Sequence, residues 1–456
     1  MNILHYSLGF PPYRSGGMTK YCIDIAQAEK AAGHRVILLW PGTWISNSLK
    51  CKIKKNSIDK ATGLENYSII NGLPVPLLDG ITEVDQFISE RNTQDFQKLL
   101  IKEHIVTIHL HTLMGFPIEF LKVAKNLKVS IIYTTHDYFG ICPRTSLMKG
   151  NECCTSDHNC IDCIKCCKNS LYTNQIRLLQ STLYKNIKNT SFISFLRKKH
   201  IVHINDEDNY NSNDNLSIDK FETAEDYKKL RRYYQSMFLY IDVVHFNSKN
   251  TKQVFDRYFI YNASEVITIT NSNVADNRSL HSANKVIKFA FLSSTSRRKG
   301  FYLLTSILEE LYTEGYKNFI LNVYSPYEFE KPFINSHKPY CIEDISSVMQ
   351  ENDMLLVPSI WNETFGFTVL EAISYGLPVL VTDKVGAKDL IKDGKSGIIC
   401  DSTRDCIKKS LKKIIEEPKK INLMSDYICK HVTIKTMEEH ENELVQLYEK
   451  AKSRKK

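Results

Sequence analysis

The sequence predicts an α/β protein made of two doubly wound domains, each built on a mostly parallel sheet. Three observations carry that prediction. Short apolar runs such as Ser130–Thr135, Phe319–Tyr324 and Leu355–Val357 alternate with longer segments of helical apolar spacing, the pattern of repeated βα units. The 456 residues exceed what one ordinary core fills and suffice for two. Polar residues 272–284 interrupt the alternation and read as a linker, which places a first domain at 1–271 and a second at 285–430, with a last helical segment and basic tail over 431–456.

Composition narrows the class. Apolar residues make up 43% and charged residues 24%, ordinary values for a globular protein in water. The net charge of +9 suits anionic substrates or an acidic membrane surface, but it is spread along the chain with no nucleic-acid module, so nucleic acid is not an expected partner. The opening MNILHYSLGF lacks the layout of a secretion signal and no apolar run reaches ~18 residues, so a cytoplasmic protein is expected, compatible with a peripheral place at the inner membrane face. In that reducing compartment the thirteen cysteines read as thiols or metal ligands.

The first domain opens with a strand over Asn2–Leu8, the loop GFPPYRSGG, a helix over Met18–Ala32 and a strand over Arg35–Trp40. Gly16 and Gly17, just ahead of the helix, let the backbone lie close to an anionic ligand. Residues 42–80 give few signals. Two further units follow: helix Thr93–His104 into strand Ile105–Leu110, and helix Phe116–Asn126 into strand Ser130–Thr135. His111 and His136 end these strands, where ligand contacts are made in such sheets, and His136 is the stronger candidate.

Seven cysteines crowd the next segment, including Cys142, Cys153, Cys154, Cys160, Cys163 and Cys166. The Cys160-x-x-Cys163-x-x-Cys166 spacing lets thiolates turn toward one ion, with Cys142 and Cys153 or Cys154 completing a tetrahedron. Zinc in a structural role is expected, against a metal-free loop or an iron–sulfur cluster. Residues 171–200 mix apolar and basic side chains and read as an amphipathic helix packed on the domain, with an anionic membrane surface as the alternative. Residues 201–222 are a polar insertion whose Asp206-Glu207-Asp208 imitates a metal-binding triplet without a strand end to position it. Helix Ala224–Tyr240, strand Val243–Asn247, a helix from Ser248 and a short strand over Ile267–Asn273 close the domain.

The second domain starts with strand Lys288–Leu292 and helix Tyr302–Leu311, with Arg297, Arg298 and Lys299 at the helix start. Cations beside free helix N–H groups make a diphosphate site. After strand Phe319–Tyr324 and helix Asp344–Gln350 comes LLVPSIWNETFGFTVLEAISYGLPVLVTD, Leu355–Asp383. Pro358 ends a strand, Ser359–Thr364 forms a loop, a helix runs from Phe367 to Tyr375, and Pro378 starts the next strand. Glu363 and Glu371 flank an amide-rich turn at Phe365, Gly366 and Phe367. Were the interval helical at ~1.5 Å per residue they would lie roughly 12 Å apart, too far for a glycosidase pair and suited to two ends of one extended ligand. A helix from Val385, strand Ile398–Cys400 and further helices ending in Thr436–Ala451 complete the chain.

Pro358-Ser359, Trp361, Glu363, Phe365-Gly366 and Glu371 together resemble the E-x7-E signature of retaining family 4 glycosyltransferases. The resemblance extends over nearly the whole chain, leaving out the cysteine segment and the polar insertion. It implies a GT-B fold, two Rossmann-like domains facing an interdomain cleft, with the last helix crossing back to the first domain. It implies a nucleotide-sugar donor, a sugar or lipid-linked glycan acceptor and a role in cell-surface glycan synthesis. Glu363 would face the donor sugar, Glu371 the ribose, and Phe365–Phe367 with Ser359 the diphosphate. Lys299, with Arg297 or Arg298, would face the departing phosphate. Ser293-Ser294 stands where the family has an arginine at the strand end, so which of Arg297 and Arg298 supplies that charge stays open. His136 and the Gly16-Gly17 loop would complete the site. No catalytic cofactor or divalent metal is expected, because fixed cations and amides balance the leaving charge. A sugar-nucleotide epimerase or a phosphorylase of the same fold, and a non-enzymatic metal-stabilised surface-binding protein, are the alternatives.

Overall fold

The computed structural model describes residues 1–11, 14, 16–45, 50–76, 80–150, 152–155, 159–181, 184, 222–283 and 285–454. Its contacts divide the chain into two units. One comprises Met1–Phe246, Val254–Ile267 and Glu441–Lys456, and the other Asn247–Gln253 with Thr268–His440.

The first unit is built on strands β1 (Asn2–Tyr6), β2 (Arg35–Pro41), β3 (Lys52–Lys55), β4 (Glu65–Ile70), β5 (Thr107–Leu110) and β6 (Ser130–Thr135). After a small antiparallel pair, β7 (Met148–Lys149) and β8 (Glu152–Cys153), come β9 (Val243–Phe246) and β10 (Ser264–Val266). The sheet order is β10-β9-β6-β5-β1-β2-β4-β3, parallel except for β3. The chain winds from β1 outward through β2, then returns to lay β5 on the other side of β1, so the topological switch lies between β1 and β5. In such sheets the crevice for ligands opens there, at the carboxyl ends of the strands.

Side chains alternate across these buried strands. Leu4, Tyr6, Ile108, Leu110, Ile131, Tyr133, Val244 and Phe246 face one large apolar core. The intervening positions carry His5, His109, Thr134 and His245, and the register pairs His5 with His109 and Thr134 with His245. One face is thus apolar, and the other buries these polar groups beside Ile3, Ile132 and Val243.

The second unit orders β11 (Ile287–Phe291), β12 (Phe319–Tyr324), β13 (Ile334–His337), β14 (Met354–Val357), β15 (Val379–Thr382) and β16 (Gly397–Cys400) as β13-β12-β11-β14-β15-β16, all parallel. Its switch lies between β11 and β14. Phe289, Phe291, Leu304, Leu308, Leu321, Met354 and Leu380 anchor its core.

Several expectations change. Residues 42–80 contain β3 and β4, short strands at the sheet's margin whose Lys-rich and mixed composition gave no period. β13 is a polar edge strand hidden in what reads as a loop; Asn335 and His337 hydrogen-bond Asn322 at 3.1 Å. The strand expected at Ile267–Asn273 lies earlier, at Ser264–Val266, and the helix expected from Val385 is a single 3-10 stretch, Gly386–Leu390. Within the expected amphipathic stretch 171–200, helix Thr173–Leu179 forms. Residues 185–200, insertion residues 201–221 with Asp206–Asp208, and Lys455 and Lys456 of the tail lie outside the described residues. Among the described residues no helix is long and apolar enough to cross a membrane.

Candidate active site

In the second unit, two loops leave the carboxyl ends of β11 and β14 on either side of the switch and touch each other. Ile360 N donates to Arg298 O at 3.0 Å. Gly300 caps helix Phe301–Thr313 with φ 75°, and a Cβ there would sit 1.8 Å from Pro358 O, so only glycine lets the loops approach this closely. That approach brings the predicted residues together. Lys299 Nζ donates to Glu363 Oε1 at 2.8 Å, and Ser359 Oγ donates to the same oxygen.

Glu363 is held from behind by main-chain contacts. Its N–H donates to Lys384 O at 2.9 Å, and its carbonyl accepts from Gly386 N at 3.1 Å. Asn250 Nδ2 adds a contact to Lys384 O at 3.0 Å, a support that no motif announced. Ser359 is in turn fixed by Thr382 Oγ1, which donates to its carbonyl at 2.6 Å. The Glu363 side chain is only 6% exposed, yet the Lys299 side chain keeps 20% of its surface, so the pair is neutralised but open on the lysine side.

The three cations differ. Arg298 and Lys299 both lie over the Trp361 ring, at 5.2 and 5.5 Å, whereas exposed Arg297 lies over Tyr302 at 5.6 Å. Trp361 therefore contacts two of the three cations, Lys299 of the Glu363 pair among them, a role the sequence did not suggest although Trp361 stands two residues before Glu363.

The helix begins at Phe367, not at Glu363, so Glu363 belongs to the loop and the interval to Glu371 is only half helical. Gly366 caps it with φ 111°, and a Cβ there would come 3.3 Å from Glu363 Oε2. Phe365 and Phe367 pack edge to face at 5.4 Å. Glu371 is on the helix, half-buried, and the nearby Tyr340 hydroxyl is pushed up to about 12, chiefly by burial and then by Glu371. Tyr340 thus presents an O–H at neutral pH.

In the first unit, Gly16 and Gly17 are exposed at the start of helix Gly17–Ala31. Half-buried His136 packs its ring 4.9 Å from Tyr21, and its Nε2 lies 3.4 Å from His111 Nδ1. His111 is thus the partner of His136, buried behind it. Its pKa is held well below the ordinary histidine value, first by burial and then by His109, His5, His136 and His245.

The cysteine segment folds beside helix Ile161–Cys166. Cys160 and Cys163 share a thiol hydrogen bond that pulls Cys160 down to about 7, with Arg231 and Lys228 adding to it, and pushes Cys163 up. Among the described residues, groups of three ligand atoms within 4.8 Å of one another occur at His5, Cys22 and His111 and at His5, Glu29 and His109, and include none of Cys142, Cys153, Cys160, Cys163 or Cys166. Among the described residues Cys160 and Cys163 are direct neighbours, and no three of these thiols lie within 4.8 Å of one another.

Two parallel-sheet domains with a charged crevice at the switch of the second define the fold as GT-B. Sucrose-phosphate synthase from Thermosynechococcus elongatus is similar with a TM-score of 0.56 over 98% of both chains at 12% identity. Anabaena HepE in complex with UDP and glucose is similar with a TM-score of 0.54, over 98% of this chain and 99% of that one, at 12% identity. In sequence, residues 337–431, which hold Glu363 and Glu371, match the family model described as glycosyl transferases group 1. A D-inositol 3-phosphate glycosyltransferase of Corynebacterium urealyticum is 30% identical over 112 residues, 24% of this chain. The match spans 26% of that relative's length.

Proposed function

We propose that the protein is a retaining glycosyltransferase that moves a sugar from a nucleoside-diphosphate sugar to a sugar or lipid-linked glycan acceptor of cell-surface glycan synthesis. The observation that carries this reading is the Lys299–Glu363 pair, 2.8 Å apart in the crevice of the second sheet. In it Glu363 holds a hydroxyl of the donor sugar, while Lys299 turns from Glu363 to the β-phosphate as charge develops there. A donor in a desolvated crevice gains most from such a preorganised cation when the glycosidic bond breaks. Arg298, over the same Trp361 ring as Lys299, is the better placed second cation. Phe365–Phe367 receive the diphosphate at the start of helix Phe367–Ser374, Glu371 the ribose, and His136 and the Gly16-Gly17 loop the sugar and acceptor. The similarity to Anabaena HepE, whose structure holds UDP and glucose, supports a nucleotide-sugar donor.

The same reading makes transfer independent of Mg²⁺ and Mn²⁺ and puts the protein in the cytoplasm at the inner membrane face. It keeps zinc on the Cys142–Cys166 segment as a structural staple that draws the paired thiols together on binding. Metal analysis of reducing, chelator-free preparations tests that staple: about one zinc is expected, and none removes it. Transfer itself is tested by screening nucleoside-diphosphate sugars for a rise in melting temperature, then following the product with a glycan acceptor by NMR at the anomeric proton. The expected product keeps the donor's configuration and forms equally well in brief EDTA. Inversion, or transfer that Mn²⁺ alone restores, would sink the mechanism; an epimerised free nucleotide sugar would move the protein to the epimerases.

A further inference from the structure

We propose that Glu29 is a positioning residue in the polar face of the first sheet, fixing the tautomer of His136 through one branch of buried contacts and holding an extra proton on an imidazole of a second branch. The inference rests on the reading that His136 contacts the transferred sugar.

Glu29, on helix Gly17–Ala31 and 0% exposed, uses both oxygens: Oε2 lies 2.6 Å from His5 Nε2, and Oε1 accepts from Tyr448 OH at 2.7 Å. From His5 the chain continues from Nδ1 to His111 Nε2 at 3.0 Å and from His111 Nδ1 to His136 Nε2 at 3.4 Å. A carboxylate can only accept, so His5 carries its hydrogen on Nε2. Neutral His5 then has a lone pair at Nδ1, which requires the hydrogen of His111 on Nε2. By the same step His136 carries its hydrogen on Nε2 and keeps Nδ1 as an acceptor. One buried carboxylate thereby sets three tautomers in series.

The second branch is short of a proton. Tyr448 gives its only hydroxyl hydrogen to Glu29, so His109 Nδ1, 2.7 Å away, donates to the Tyr448 oxygen. At the far end His245 Nε2 faces the Ile267 carbonyl at 2.8 Å and donates to it. Between them, His109 Nε2 lies 2.6 Å and His245 Nδ1 2.8 Å from the Thr134 hydroxyl, which has one hydrogen for two contacts. One more proton must reside on His109 or His245, and the hydroxyl lets the two imidazoles exchange it. The resulting imidazolium offsets the charge of the buried Glu29 carboxylate.

The other groups facing the network do not compete. Tyr21 and Tyr448 have their hydroxyls held well above the ordinary value, first by burial and then by Glu29, and burial also pushes the Cys22 thiol up. Glu441 and Glu443, at the head of the last helix, act on Tyr448 and Tyr21 respectively. Separations of 3.0 Å between two ring nitrogens and 2.6 Å between ring and carboxylate are those of hydrogen bonds. Two nitrogens on one zinc at ~2.0–2.1 Å would stand roughly 3.3 Å apart in a tetrahedron, so the contacts of His5 with His111 and Glu29 fit protons better than an ion.

Long-range ¹H–¹⁵N NMR of histidine-labelled protein reads the inference directly. The parent is expected to show one doubly protonated imidazole at pH 8 and His136 protonated at Nε2. In Glu29→Gln the amide oxygen still accepts from His5 while its N–H donates to Tyr448, which supplies the missing proton. The imidazolium signal should therefore vanish while the His136 tautomer stays. Glu29→Leu removes the acceptor, mixes the His136 tautomers and lowers kcat at least about tenfold at unchanged donor KM, a loss that Glu29→Gln recovers. Only neutral imidazoles in the parent would overturn the proposal, as would zinc that survives replacement of the segment's cysteines by serine, or an unchanged His136 tautomer in Glu29→Leu. Should Glu29→Leu fail to fold, the parent and Glu29→Gln spectra decide. Normal transfer by His136→Ala would remove the sugar contact of His136 while leaving the spectral test of the network intact.

Discussion

The two sheets solve the same problem, a polar cluster at a topological switch, in opposite ways. In the second unit Lys299, Ser359 and Glu363 sit on loops beyond β11 and β14, and the lysine side chain keeps 20% of its surface. In the first unit His5, His109 and His245 sit within the strands at 0% exposure, with Glu29 and Tyr448 brought from helices far apart in sequence. A loop cation that can reach solvent or a ligand is free to change partner. A buried strand imidazole can only exchange protons with the neighbours that the register gives it. The contrast assigns recognition of charge to the first arrangement and maintenance of orientation to the second.

The largest effect should come from breaking the open cluster. Glu363→Gln is expected to lower transfer about 1,000-fold while the melting temperature moves little, because Lys299 can turn to solvent. Parent-like turnover would show that Glu363 is a structural anchor for Lys299 alone. Lys299→Ala should raise the barrier by roughly 2 to 4 kcal/mol, read from kcat/KM under donor limitation. An unchanged value would make it a surface cation.

Gly300→Ala tests whether the approach of the two loops, and not the motif residues alone, creates the cluster. With φ 75° and a Cβ 1.8 Å from Pro358 O, it should destabilise the second unit by more than about 2 kcal/mol in denaturant titration. A neutral result would mean the loops can part freely. The smallest effect separates the units by pH. His111 resists protonation when folded, whereas unfolded it titrates near ~6.5. Below that value the unfolded chain takes up a proton that folded His111 refuses, so stability should fall with pH by up to about 1.4 kcal/mol per unit until the folded group titrates. Above it this contribution is constant. His111→Gln should flatten that slope, and an unaltered slope would assign it to another group.

Each half of the open cluster was legible because its own surroundings are local. Pro358, Gly366 and the Gly376-x-Pro378 turn punctuate one strand-loop-helix-strand unit, and Glu363 and Lys299 are polar residues at places where an apolar period stops. Boundaries at Ser130–Thr135 and Phe319–Tyr324 were equally clear, since strands buried on both faces are continuous apolar runs. β13 and β3 were not, because edge strands are polar for the same reason that loops are.

The sequence by itself determined the alternation of βα units and the turn chemistry, which depend on near neighbours in the chain, and it marked Lys299 and Glu363 as polar residues at two strand ends 64 positions apart without bringing them together. Only the tertiary structure decided that Arg298 and Lys299 both lie over the Trp361 ring, and that His5, Glu29, His109, Thr134, His245 and Tyr448 form one network. Strand order and register set those contacts. Each histidine alone looks like any polar residue in a strand, and nothing in the local sequence fixes which residue far along the chain will stand 3 Å away.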